Sequence, residues 1–149
     1  MKDYKKDARQ LRTRLKNANM KIHVMQFCMD YDIEFSVNNN CYEEALADFE
    51  DRRIEVPEIL GDVTYFISLH ELGHLLHPLG CPLKSSVLEA ESYAWEWALK
   101  NSIISPNKKV KTMISRCLQR YCDYVGSDRR YKIPNKKDLF WKILDGRYY

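Results

Sequence analysis

Apolar positions recur at helical spacing through the first thirty residues of the chain, then alternate briefly, then return at helical spacing to the end. Residues 3–30 predict one long amphipathic helix carrying Leu11, Leu15, Ile22, Met25 and Met29. Residues 33–37 (Ile-Glu-Phe-Ser-Val) alternate as a half-buried strand does, and Asn38-Asn39-Asn40 marks a turn. Residues 46–49 and 53–56 read as two more short strands, separated by the polar reversal Glu50-Asp51-Arg52 and closed by Pro57. These three strands predict a small antiparallel sheet.

A helix follows from Asp62, taken as its N-cap, to about His77, where Pro78 and Gly80 break it. Its leucines cover most of its circumference, so it is expected to be central and buried. Gly73 costs about 1 kcal/mol in a helix interior and points to a close backbone approach there. Another helix spans about 85–103, capped by Ser85 or Ser86. A basic helix runs from Pro106-Asn107 to about Val125, and a short one covers 138–144 with Phe140 and Trp141. The tail Tyr148-Tyr149 reads as docked core or a frayed end. With 149 residues the chain is expected to be a single domain, with a core at about 33–104 and a basic helical C-terminal part at 105–149.

Chemistry enters with His70-Glu71-Leu72-Gly73-His74. Two histidines four apart on a helix present their imidazoles on one face, as two nitrogen ligands of a tetrahedral Zn²⁺ must be. At ~100° per residue, Glu71 is offset from that face and reaches toward a water, not the metal. A third ligand is expected at Glu91. On a helical wheel it lies with Val87, Leu88, Ala94, Trp95 and Ala98, the inward side, where an unpaired charge costs several kcal/mol. Glu89 is the competing ligand. A buried salt bridge to Arg or Lys is the structural alternative for Glu91, and a metal-free polar helix the alternative for the pentapeptide. His70, His74 and Glu91 as ligands leave a coordination position for water, and Glu71 then serves as general base. That combination is metal-assisted amide hydrolysis.

The pentapeptide together with Glu91-x-x-Ala94-x-x-Trp97-Ala98, and with Arg52-Arg53-Ile54-Glu55-Val56-Pro57 before it, resembles the ImmA/IrrE type of zinc metallopeptidase across about residues 33–100. That family pairs a His-Glu-x-x-His helix with a downstream Glu-x-x-Ala-x-x-Phe-Ala helix whose Glu is the third ligand. Here Trp97 stands where Phe is usual, and no helix-turn-helix is appended. The resemblance implies a minimal zincin-like α+β fold and a zinc endopeptidase acting on a protein or peptide substrate, such as a regulator or repressor. A phage or mobile-element setting is implied with it. It also implies a strand edge that holds the substrate extended beside the metal, for which residues 53–56 are the expected strand.

Several features are weighed beside this reading. His77 is a further ligand, an oxyanion donor, a supporting group or a satisfied helix-end histidine. Cys81 would join His70, His74 and His77 in a closed structural site. Tyr93 is expected to point away, His23 to be without chemistry, and no residue suggests itself for the oxyanion. The net charge of +3 conceals a segregation. Residues 1–21 hold eight Lys/Arg against two Asp, 100–149 thirteen against four, and 30–62 eleven acids against Arg52 and Arg53. A nucleic-acid-binding role through the basic helix at 108–120, with a structural or vestigial zinc, is therefore the rival function. Sequestration of a host factor without cleavage is the other. No apolar run reaches the ~18 residues of a membrane span. The five cysteines (28, 41, 81, 117 and 122) are odd in number and lack a Cys-x-x-Cys. Free thiols in the cytoplasm, without a secretory signal, are the expectation.

Overall fold

A computed structural model describes residues 4–40 and 45–149; residue 3, the expected helix start, and Cys41 lie outside the described residues. The order is α1 (Tyr4–Asp30), β1 (Glu34–Val37), β2 (Leu46–Asp48), β3 (Arg53–Val56), α2 (Asp62–Leu76), α3 (Val87–Asn101), α4 (Lys108–Cys122) and α5 (Leu139–Leu144). The fold is α+β. No helix among the described residues is long and apolar enough to cross a membrane.

The sheet departs from the expected antiparallel arrangement. Its order is β1-β3-β2, with β1 parallel to β3 and β2 antiparallel to it. β2 and β3 form a tight hairpin in which Asp48 accepts from the Glu50 and Asp51 amides, and Arg52 adopts φ 49°. β3 holds the centre and is the most buried of the three: Ile54 and Val56 are both completely buried. Its central place also removes it as a substrate-binding edge, correcting the expectation for residues 53–56. Edges have free backbone groups, and here they belong to β1 and β2.

α1 also turns differently from its predicted face. Met20, Val24 and Cys28 are buried, whereas Leu11, Leu15, Ile22 and Met29 are exposed. The chosen face meets α2, where Tyr65 bonds His23 at 2.9 Å, and α3, where Trp97 packs edge-on against Phe27.

α2 is buried along nearly its whole length. Gly61, not Asp62, is its N-cap, and the Thr64 hydroxyl caps the turn by accepting from the Leu60 and Gly61 amides. Asp62 is thereby released to pair with Lys16 at 2.6 Å and to accept from Asn107. α3 begins with a capping box: Ser86 accepts from the Glu89 amide, and Glu89 reaches back to the Ser86 amide. α4 buries Val110, Ile114 and Leu118 against the same core, and α5 adds Phe140 and Ile143.

Candidate metal centre

α2 and α3 pack backbone to backbone. A β-carbon on Gly73 would meet the Ala94 Cα at 2.9 Å and its carbonyl oxygen closer still, so only glycine allows this approach. The predicted close contact at Gly73 is thus present, and it brings the two histidines of α2 up to the carboxylate of α3.

His70 Nε2 and His74 Nε2 lie 3.1 Å apart. Glu91 Oε2 is 3.0 Å from His70 Nε2, and Glu91 Oε1 is 3.3 Å from His74 Nε2. A tetrahedral ion with bonds of ~2.0–2.1 Å sets its ligand atoms about 3.3 Å apart. The Nε2–Nε2 distance and the approach of each Glu91 oxygen to one imidazole are all close to that spacing, so the donor set fits a Zn²⁺-sized ion. All three side chains are buried. Among the described residues this is the only such group of three metal-ligating side chains.

Each ligand is held by its surroundings. His74 Nδ1 donates to the Gly80 carbonyl at 2.7 Å, which turns Nε2 toward Glu91. Gly80 itself cannot carry a side chain, because a β-carbon would stand 3.0 Å from the His74 Cα. Pro78-Leu79-Gly80 therefore ends the helix and also folds a carbonyl back onto the site. His70 is oriented differently: it stacks on Trp95 at 3.9 Å, and its Nδ1 has no hydrogen-bond partner among the described residues.

The electrostatics follow from three charges sharing one dry space. Burial opposes ionisation of Glu91, but His74 and His70 more than offset it and hold its carboxyl well below the usual range. Burial likewise opposes a charge on His74, yet Glu91, Glu71 and the Gly80 carbonyl push it up to about 9. His70, desolvated more than it is compensated, is lowered. Glu91 thus favours positive charge against it. Glu71 lies beside these groups without belonging to the triangle. Burial pushes its carboxyl up to about 7, with Glu91 adding and His74 opposing.

Tyr121, on α4, was not expected in the site. Its phenol lies near the Glu91 carboxylate, and burial followed by the nearby Glu91 and Glu71 raises its pKa strongly. A signal existed: Tyr121 continues the Val110, Ile114, Leu118 stripe at helical spacing, so it had to face inward. What it would face there was not readable, since α4 is remote in sequence.

The other named residues fall outside. Glu89 is engaged in the α3 cap, so it is not the competing ligand. No Lys or Arg pairs with Glu91 among the described residues, which removes the buried-salt-bridge alternative in its simple form. His77 is a satisfied helix-end histidine: it stacks on Tyr93, accepts from the Leu79 amide and approaches Glu96 at 3.7 Å. Cys81 does not join His70 and His74, so the closed four-ligand site is not formed. Tyr93 points to His77, away from the triangle.

Compared with family models, with curated proteins and with solved structures, the chain matches none.

Proposed function

We propose that this protein is a zinc-dependent endopeptidase. The observation that carries the reading is the buried triangle of His70 Nε2, His74 Nε2 and Glu91, with Glu71 desolvated beside it. His70, His74 and Glu91 would hold the ion and leave a tetrahedral position open, as catalytic zinc sites do. When bound, zinc supplies Lewis acidity toward a carbonyl oxygen and lowers the pKa of water to about 7.

Glu71 is the general base: its carboxylate takes a proton from the attacking water and returns it to the leaving amine nitrogen. A carboxyl whose affinity for protons is raised by burial suits both halves of that transfer. The Tyr121 phenol, near the Glu91 carboxylate, would help to orient that ligand. A substrate segment would lie along β2, the edge strand nearest the site, pairing with its free backbone groups in extended form. Phe49, just after β2, stands edge-on to His74 at 6.5 Å and places that edge beside the ligands.

The deciding experiment is Glu71→Gln with zinc content and cleavage measured together. The expected result is about one zinc per chain in both forms, with proteolysis of a partner substrate reduced by several orders of magnitude in the variant. Full cleavage by Glu71→Gln, or purified wild-type chain that takes up no zinc, overturns the reading.

A further inference from the structure

Opposite the buried face of α1 runs a second apolar line. Tyr4, Ala8, Leu11, Leu15, Ala18, Ile22, Met25 and Met29 follow one another at intervals of four and three without a break. That is a heptad repeat, with Ala8, Leu15, Ile22 and Met29 at one seam position (a) and Tyr4, Leu11, Ala18 and Met25 at the other (d). It spans roughly 37 Å at ~1.5 Å per residue. The chain leaves this line uncovered: Leu11 is 68% exposed, Leu15 62%, Ile22 64% and Met29 74%. Residues 4–15 are all exposed, so the outer part of α1, before the Lys16–Asp62 pair, projects beyond the body. Helices of that length derive little stability from propensity alone and usually depend on packing.

We propose that this seam zips against the same helix of a second copy, forming a parallel two-stranded coiled coil. The flanking charges select both partner and direction. In a parallel pair, residues on the g side of one helix meet residues five later, on the e side, of the other. Asp7 then meets Arg12, Arg14 meets Asn19 and Lys21 meets Gln26, with two-fold symmetry doubling each pair. One pair attracts and none repels. A fully overlapped antiparallel pair would instead set Arg14 against Lys21 twice along the g flank. Met20, Val24 and Phe27, which bind α1 to its own body, lie on the side away from the seam, with buried Cys28 at its flank. The pairing would place two metal centres on one rigid axis, but it does not depend on the metal chemistry.

Sedimentation of the full chain at micromolar concentration is expected to give a dimer. Leu11→Glu combined with Leu15→Glu should halve the apparent mass while leaving the far-ultraviolet circular dichroism of the body and its zinc uptake in place. Gln10→Glu with Thr13→Glu, exposed but off the seam, should remain dimeric. Under mild oxidation Leu15→Cys should link two copies through residue 15 where wild type does not. A monomeric wild type overturns the proposal, as does a dimer that survives the double leucine change. Cross-linking only between Leu15→Cys and Ala18→Cys chains overturns it too, because that pairing belongs to antiparallel helices.

Discussion

Gly73 on α2 and Ala94 on α3 touch through their backbones, and the metal triangle exists because they do. The contact sits one residue before His74 and three after Glu91, so any separation of the helices is passed to the ligand atoms directly. Gly73→Ala should test this. In an open helix the change would be favourable by about 1 kcal/mol. Here the added carbon meets backbone, which cannot rotate aside, and overpacking of this kind costs about 1–3 kcal/mol. Net destabilisation in urea titrations, with weaker zinc retention, is the expected outcome. A variant as stable as wild type would show that the helices can slide.

Glu91 and Glu71 are both buried carboxylates, but their removal should have opposite signatures. Glu91→Gln takes away a ligand and should lower zinc occupancy sharply, together with the chelator-sensitive part of the melting temperature. Glu71→Gln should leave both unchanged, since only ligands stabilise the fold through the bound ion. Equal metal loss in the two variants would place Glu71 among the ligands.

The Tyr121 phenol lies near the Glu91 carboxylate, so Tyr121→Phe should weaken the proposed zinc binding without abolishing it. Loss of a group supporting a metal ligand typically costs 10- to 100-fold in affinity, and about 10-fold is expected here. Competition against a chromophoric chelator measures it. Unchanged affinity would confine Tyr121 to packing.

His23 offers a pH test away from the metal. The Ile103 amide donates to the Tyr65 hydroxyl, which shares a 2.9 Å hydrogen bond with His23 Nδ1. Burial lowers the His23 pKa below the ordinary 6.5, so the folded state favours the neutral imidazole. In the window below 6.5 the unfolded chain binds a proton that the folded chain refuses. Stability is therefore complete above 6.5 and is lost as pH falls toward the lowered folded value. Proton nuclear magnetic resonance should find His23 titrating below 6.5, and His23→Gln should flatten this part of the stability profile. A His23 midpoint above 6.5 would reverse the sign.

Much of the candidate site was legible because its determinants are local. The spacing of His70 and His74 and the stop at Pro78 and Gly80 are properties of one turn or two, as is the inward position of Glu91 beside Ala94 and Ala98. Glu89 could be separated from Glu91 only once the Ser86 capping box was seen to occupy it.

The sequence by itself determined which segments are helix and strand and which side chains offer metal-ligating atoms, since 3.6- and 2-residue periodicities and caps act over a few residues. Tertiary structure alone decided the rest. β3 took the centre of the sheet, and β1 lies parallel to it, because strand pairing is settled by burial across some twenty residues of chain. Two apolar faces compete on α1, and the one holding Met20, Val24 and Cys28 went inward because it fits α2 and α3. Tyr121 reached Glu91 from thirty residues away, and no local pattern carries that distance.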